Sequence, residues 1–277
     1  MKKKAPEVDK NIPNSSIYED APHLHVTDRA RENMQAEKNC TLNFRPVVRD
    51  LAANPGADMI RYARGKENMI WMGQGEGDAP TPDFIVNAAV KAMQDGLMFY
   101  GPALGSPYLR TALSGYYQRI YDQDIGEHRI FVTQSGSTAM SIALSTLLDK
   151  GDEVVAVTPI WKNLLGAIEL MQANTLEVAM NCDQNGKWSL DLGKLFDTCT
   201  ENTRVILLVS PSNPTGWCAS KEEMRAILDF ARERGIWIVA DEVYNRLVYD
   251  GLRAPSFLDI AKPDDQILIV NSFSKTW

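Results

Sequence analysis

The chain has 277 residues, 44% of them hydrophobic and 23% charged, enough to bury a sizeable core in one large domain or two moderate ones. Its formal net charge of −7 argues against nucleic acid or an anionic membrane as the main partner. The four cysteines (Cys40, Cys182, Cys199, Cys218) form no C-x-x-C pair, the charged start is followed by no apolar stretch, and no apolar run approaches a bilayer-spanning length, so the expectation is a cytoplasmic chain with reduced thiols.

Residues 1–45 are polar and interrupted by Pro6, Pro13 and Pro22, a pattern that predicts an arm rather than a domain. From about residue 80 onward, helical and strand patterns alternate. Thr81 as N-cap with Pro82 behind it predicts a helix through Phe84, Ile85, Ala88, Ala89, Ala92 and Met93, closed by Gly96. Ser106-Pro107 repeats that signal ahead of Leu109, Leu113, Tyr116 and Ile120. A strand is predicted over 129–133, a helix over 138–148 with Gly151 beyond it, and a strand over 153–157. Later strands are predicted over 205–209, 236–240 and 267–270. Between the first two of these, Ser220-Lys221-Glu222-Glu223 reads as a capping box opening an amphipathic helix that ends at Gly235. Short, continuous apolar strands separated by helices predict an α/β fold of three layers, α/β/α, with a mostly parallel sheet covered on both faces. The chain shows no internal repeat or low-complexity segment.

In an open α/β sheet, ligands gather at the carboxyl ends of the strands, so the residues following each predicted strand form the candidate site. Residues 129–133 lead into Gln134-Ser135-Gly136-Ser137-Thr138 and a helix, where backbone N–H groups and hydroxyls make a phosphate cradle. Residues 205–209 end in Ser210-Pro211-Ser212-Asn213-Pro214-Thr215-Gly216, a turn that fixes an amide side chain. Residues 236–240 end in Asp241-Glu242-Val243-Tyr244, and residues 267–270 end in Asn271-Ser272-Phe273-Ser274-Lys275. A lysine held partly out of water loses proton affinity and becomes a nucleophile for carbonyls.

A phosphate site, an amide, a carboxylate with a phenol, and an amine together fit pyridoxal 5'-phosphate, which needs a lysine for its aldehyde, a carboxylate for its ring nitrogen, donors for its phenolic oxygen and a phosphate cradle. The sequence resembles the class I/II aminotransferases, the aspartate aminotransferase superfamily of fold type I. The motifs carrying the resemblance are Ser-Asn-Pro-Thr-Gly at 212–216, Ala-Asp-Glu-Val-Tyr at 240–244 and Ser-Phe-Ser-Lys at 272–275, in the family's order. It extends back through Tyr-Gly-Pro-Ala-Leu-Gly at 100–105 and Gly-Gln-Gly-Glu-Gly-Asp at 73–78. Each motif is weak alone; their coincidence at successive strand ends is strong.

The resemblance implies roles position by position. Lys275 matches the lysine that forms the Schiff base and then moves the substrate proton. Asp241 matches the partner of the pyridine nitrogen, and Asn213 and Tyr244 the groups on the phenolic oxygen. Ser135, Gly136 and Ser137 match the phosphate loop, joined by Ser272, and Trp161 stands where the family stacks an aromatic ring. Tyr100 matches a tyrosine that reaches the neighbouring subunit's phosphate, which implies a homodimer in the complete protein. Gly75 matches a backbone contact to the substrate carboxylate, with Asn213 beside it. On the same basis residues 46–80 correspond to the N-terminal part of a small domain with its linker. Residues 81–277 correspond to the cofactor-binding large domain, incomplete at its C-terminus, with most of the C-terminal small domain missing. The implied activity is transfer of an amino group between an L-amino acid and a 2-oxo acid.

Competing readings are each met by particular residues. Gly73-x-Gly75-x-Gly77 is followed by Pro80 and Pro82 rather than a helix, against a dinucleotide fingerprint. His23, His25 and His128 lie outside every cluster, against metal sites and histidine triads. A transcription regulator with an aminotransferase-like domain would need a helix-turn-helix ahead of the fold, which residues 1–45 do not resemble. Other fold type I chemistry (C–S lyase, racemase or synthase) uses the same motifs and stays open. So does an inactive fragment, because family members continue beyond the lysine with two arginines, one for the cofactor phosphate and one for the substrate carboxylate. The expectation is weak cofactor binding and poor turnover by the 277-residue chain.

Overall fold

The computed structural model describes residues 44–51, 55–63, 66, 68–73, 75–77 and 79–277. The expected arm therefore lies, but for its last two residues, outside the described residues, as do Gln74 and Asp78 of the glycine-rich motif. The chain divides into two units, Met1–Arg45 and Pro46–Trp277, and the second carries the fold.

The second unit begins with short helices α1 (Pro46–Arg49) and α2 (Pro55–Ala63), followed by α3 (Asp83–Gln94) and α4 (Pro107–Tyr121). α3 starts one residue later than the N-cap pattern predicted. Pro82, not Thr81, holds the cap position, with no side-chain hydrogen bond, while Gly96 follows at φ +77° as its role past a helix end requires. α4 begins as predicted, with Pro107 in the first turn behind Ser106.

Residues 129–133 are not a strand. A 3₁₀ turn covers Glu127–Arg129, and the following residues run extended without a ladder partner among the described residues. The Val132 N–H donates to the Leu104 carbonyl at 3.1 Å, and Phe131 is 66% exposed. The apolar run Ile130-Phe131-Val132 suits a strand, but no neighbouring strand among the described residues pairs with it. The segment still delivers the chain into α5 (Gly136–Leu147).

The sheet then builds through β1 (Glu153–Thr158), α6 (Lys162–Leu170) and β2 (Asn174–Ala179). A small antiparallel pair follows, β3 (Asn181–Cys182) with β4 (Trp188–Ser189), and then α7 (Leu192–Thr198) and β5 (Thr203–Val209). The last elements are α8 (Lys221–Arg234), β6 (Trp237–Asp241), β7 (Ile267–Val270) and α9 (Phe273–Thr276). α8 has the predicted capping box in full, with Ser220 and Glu223 exchanging hydrogen bonds, and Gly235 closes it at φ +66°.

Five parallel strands form the main sheet in the order β2-β1-β5-β6-β7. Alternate residues go to opposite faces. Val154, Ala156, Val205, Leu207 and Val239 pack with Met140 and Leu144 of α5 and Leu164 and Ile168 of α6. Val155, Val157, Ile206, Leu208 and Ile238 pack with Leu195 of α7 and Met224, Ile227 and Leu228 of α8. This is the three-layer α/β/α arrangement expected of the strand pattern. The order also explains which helix lies on which face. The β1-α6-β2 and β5-α8-β6 crossovers run in opposite directions across the sheet, so a shared right-handedness puts α6 and α8 on opposite sides. The reversal falls between β1 and β5, the kind of switch point at whose carboxyl strand ends open α/β sheets take their ligands.

Candidate active site

Register brings the site's loops level with one another. Val209 of β5 pairs with Asp241 of β6, which pairs with Val270 of β7. The next bonds continue the ladder past the strand ends: the Ser210 N–H donates to the Asp241 carbonyl at 3.0 Å and the Glu242 N–H to the Val270 carbonyl at 2.9 Å. The amide turn, the carboxylate and the lysine helix therefore leave the sheet side by side.

Asp241 is 8% exposed. Burial pushes its carboxyl up to about 6, against the pull of the Val243 N–H, which donates to Oδ1 at 3.1 Å. Among the described residues the second oxygen accepts nothing. A dry carboxylate with one oxygen in reserve is suited to a cationic N–H ligand, whose charge would bring its pKa back down.

The loop after β5 is tied at several points. The Ser212 N–H donates to the Trp217 carbonyl at 2.8 Å, the Gly216 N–H donates to the Ser212 carbonyl at 2.8 Å, and the Ser210 hydroxyl accepts from the Ala219 N–H at 2.9 Å. Gly216 sits at φ +71°, a region that favours glycine. So fixed, Asn213 points its Nδ2 at the Tyr244 hydroxyl, 3.4 Å away. Burial raises the Tyr244 phenol above its ordinary range, while the Asn213 contact lowers it.

Lys275 projects from α9, which Ser272 caps by accepting from the Ser274 N–H at 3.1 Å. Its Nζ donates to the Gly75 carbonyl at 2.7 Å and stands 5.8 Å from the centre of the Tyr244 ring. A Cβ added to Gly75 would lie 3.3 Å from that Nζ and 3.5 Å from the Tyr244 hydroxyl, so the glycine passes directly over the lysine and the phenol.

At α5 the Ser135 hydroxyl accepts from the Thr138 N–H at 3.1 Å and lies 3.0 Å from the Thr138 hydroxyl. A Cβ on Gly136 would come 3.4 Å from Cβ of Ser272, which puts the first turn of α5 against the start of α9. Ser135 and Ser137 are exposed, so the helix N-terminus, beside Ser272, is open to solvent. Trp161 stands just before α6, 38% exposed. Tyr100 is fully exposed and takes part in none of these contacts.

The structure thus brings Gly75, Asn213, Tyr244 and Lys275 into one cluster and Gly136 against Ser272, with Asp241 at the shared strand edge. This donor set fits pyridoxal phosphate: an amine for an aldehyde, a buried acceptor for a protonated ring nitrogen, an amide and phenol for a phenolate, and a helix N-terminus with hydroxyls for a phosphate. Sequence reasoning gave no role to the residues behind the site. Glu242 is 2% exposed and accepts from the Ser256 hydroxyl at 2.6 Å and the Phe257 N–H at 3.0 Å. Asn245 is fully buried and donates to the Tyr121 hydroxyl, while Arg253 grips Asp259 at 2.6 and 3.0 Å. The only sequence signal was a second acid beside Asp241.

The chain is similar to known proteins over most of its described length. The aspartate aminotransferase of Streptomyces avermitilis is 35% identical over 212 residues, covering 76% of this chain and 51% of that protein. A probable aspartate aminotransferase of Methanocaldococcus jannaschii is 32% identical, covering 80% and 57%. Among solved structures, an aspartate aminotransferase from Thermotoga maritima superposes with a TM-score of 0.78 at 28% identity, covering 84% of this chain and 62% of that one. The chain spans about half the length of the curated relatives it matches. The family model for aminotransferase class I and II matches residues 67–277, and the chain belongs to that family.

Proposed function

We propose that this chain carries the cofactor-binding part of a pyridoxal-phosphate-dependent aminotransferase, with aspartate as the amino donor to test first and a 2-oxo acid as acceptor. The observation that carries this reading is the convergence of Lys275, Tyr244, Asn213 and Gly75 beside the buried Asp241. The names of the curated relatives support aspartate.

In this reading the cofactor supplies an electron sink for the bond broken at the substrate α-carbon. Lys275 is the amine that would hold the cofactor through its aldehyde, and its Nζ would carry the substrate proton. Asp241 keeps its ionised carboxylate against the ring nitrogen, stabilising the protonated form. Asn213 and Tyr244 donate to the phenolic oxygen. The first turn of α5, with Ser135, Gly136 and Ser137, and Ser272 beside it, binds the phosphate. Trp161 covers one face of the ring, and the Gly75 backbone, with Asn213, orients the substrate carboxylate.

Partnership belongs to the same proposal. Tyr100 and its neighbours Met98 and Phe99 are 108%, 71% and 93% exposed, a surface suited to a second copy whose phosphate site Tyr100 would reach. No described helix is long and apolar enough to cross a membrane, and a cytoplasmic location goes with the proposed metabolic role.

The test is to add pyridoxal phosphate, reduce with borohydride and map the modified peptide. Label on Lys275 and its loss in Lys275→Ala support the assignment; label spread over surface lysines would sink it. Transfer of ¹⁵N from aspartate to 2-oxoglutarate then tests the reaction. Repeated turnover of aspartate without an acceptor would favour the lyase reading instead.

A further inference from the structure

Asp241 and Glu242 are adjacent acids at the end of β6, and both are buried, yet only Asp241 stands at the crevice edge with an oxygen to spare. Glu242 lies on the other side of the strand, where its two carboxylate oxygens are both used. Oε2 accepts from the Ser256 hydroxyl at 2.6 Å and Oε1 accepts from the Phe257 N–H at 3.0 Å. Its own N–H donates to Val270, the last residue of the strand that leads to Ser272 and Lys275. Phe257 itself is fully buried and belongs to the core beneath β6.

The turn that Glu242 grips is braced in its own right. Ser256 caps the 3₁₀ turn Phe257–Asp259, with Asp259 returning the hydrogen bond. Arg253 forks onto Asp259 and lies 4.3 Å over the Tyr121 ring, and Lys221 at the start of α8 reaches Asp259 at 3.4 Å. The Tyr121 hydroxyl accepts from Asn245, three residues beyond Glu242. The charged and titratable groups facing Glu242 are thus Arg253 and Asp259 from this turn, Tyr117 and Tyr121 from α4, and Cys218 from the loop before α8.

A buried carboxylate is a poor way to gain stability for its own sake. Its geometric consequence here is specific. The Asp241 backbone is held by the ladder on both sides, and beyond Glu242 the turn is tied by the Asn245 N–H to the Glu242 carbonyl at 3.0 Å and the Ala254 N–H to the Asn245 carbonyl at 2.7 Å. The Glu242 side chain adds a link from the end of β6 to the Ser256–Phe257 turn behind it.

We propose that Glu242 is a positioning residue which, by clamping the Ser256–Phe257 turn against the end of β6, keeps the Asp241 carboxylate dry and aimed into the crevice. This rests on the reading of Asp241 as the acceptor for the cofactor's ring nitrogen. Burial pushes the Glu242 carboxyl itself up to about 7, which fits a group held for its hydrogen bonds rather than its charge.

The test compares Glu242→Gln with Glu242→Ala in the cofactor-free chain. The Asp241 carboxyl is followed by ¹³C NMR through a pH titration, with its signal assigned from Asp241→Asn. Gln keeps the size of the side chain and one acceptor, so the Asp241 midpoint should stay at its wild-type value. Ala removes both bonds to the Ser256–Phe257 turn; with the clamp gone the end of β6 loosens, water reaches the Asp241 carboxylate, and the midpoint should fall by about one pH unit towards the ordinary carboxylate range. If Glu242→Ala does not fold, Ser256→Ala removes one of the two anchoring bonds and should move the midpoint in the same direction. An unchanged Asp241 midpoint in the folded variant, even with a lowered melting temperature, would make Glu242 merely structural and overturn the proposal. A midpoint moved equally by Gln and Ala would overturn it too, since charge and not clamping would then be responsible. Pyridoxal phosphate titrations separate this from the parent reading. Undiminished affinity in Asp241→Asn would remove the cofactor role of Asp241, whereas the NMR result would still decide what Glu242 does to it.

Discussion

Lys275 and Gly75 are joined by a 2.7 Å hydrogen bond across 200 residues of sequence, from the lysine Nζ to the glycine carbonyl. The contact fixes which way the amine points and leaves the Tyr244 ring on its flank. It also makes the absence of a side chain at Gly75 part of the site.

Gly75→Ala should therefore slow the chemistry of Lys275 while leaving the fold alone. The added methyl would sit 3.3 Å from Nζ and 3.5 Å from the Tyr244 hydroxyl, and the lysine end would have to give way. The rate of borohydride-trapped modification of Lys275 by pyridoxal phosphate should drop about tenfold, equivalent to about 1.4 kcal/mol. The circular dichroism spectrum and melting temperature should not change. An unaltered trapping rate would mean that the amine does not depend on this contact.

The two buried acids predict an unusual pH dependence for the cofactor-free chain. Burial holds Asp241 at about 6 and Glu242 at about 7, above ordinary values of 3.8 and 4.5. Below about pH 4 both folded and unfolded chains carry these protons, and the favourable burial is fully present. As pH rises, the unfolded chain ionises first and is favoured, so stability falls until the folded carboxyls have also ionised near pH 7. Each acid contributes on the order of 3 kcal/mol to this loss. Asp259 and Asp265 act in the opposite sense at lower pH: arginine and amide hydrogen bonds hold them below the ordinary range, and their contribution is lost as pH falls. Urea midpoints measured from pH 4.5 to 7.5 should decline, and Asp241→Asn or Glu242→Gln should each flatten the decline. A midpoint that rises across this range would show that neither acid is buried as described.

Much of this arrangement was legible because the relevant signals are local. β5, β6 and β7 are continuous apolar runs, and the residues that follow each of them carry the site. The helix start at Ser135 announces itself by a serine-glycine-serine run, and Ser135 caps it by accepting from the Thr138 N–H. β2 was missed because Asn174-Thr-Leu-Glu-Val-Ala has the mixed character of an edge strand, with Glu177 open to solvent. The segment 129–133 misled in the opposite way: its pattern is strand-like, but no partner pairs with it. Glu242 was invisible as a brace because its partners lie 14 and 15 residues downstream in an irregular turn that no periodicity marks.

The capping box of α8 gives a prediction free of any functional reading. Ser220 accepts from the Glu223 N–H at 3.1 Å, and the Glu223 carboxylate accepts from the Ser220 N–H at 2.7 Å. Ser220→Ala should lower unfolding free energy by about 1 kcal/mol. Trapping of Lys275 should be unaffected, because α8 packs on the sheet face through Met224, Ile227 and Leu228 rather than at the strand ends. A fall in trapping would imply that the helix start communicates with the site, through Lys221 and Asp259.

Trp161 separates packing from recognition most directly. A tryptophan just before a helix is often part of the core, and on that basis its truncation would cost 3–5 kcal/mol, about the usual penalty for a buried aromatic. Here the ring is 38% exposed, while the helix it precedes is anchored instead by Leu164, Ala167 and Ile168. Its position at the carboxyl end of β1, beside the reversal of strand order, is where a flat ligand lying across the crevice would meet it. Trp161→Ala should therefore leave most of the stability in place and weaken pyridoxal phosphate binding roughly 2- to 12-fold, the loss of one offset stacking contact. Trp161→Phe should restore part of that affinity. If instead the alanine variant unfolds and the ligand affinity of the surviving fraction is unchanged, Trp161 is core, and the cofactor ring must be covered by another group.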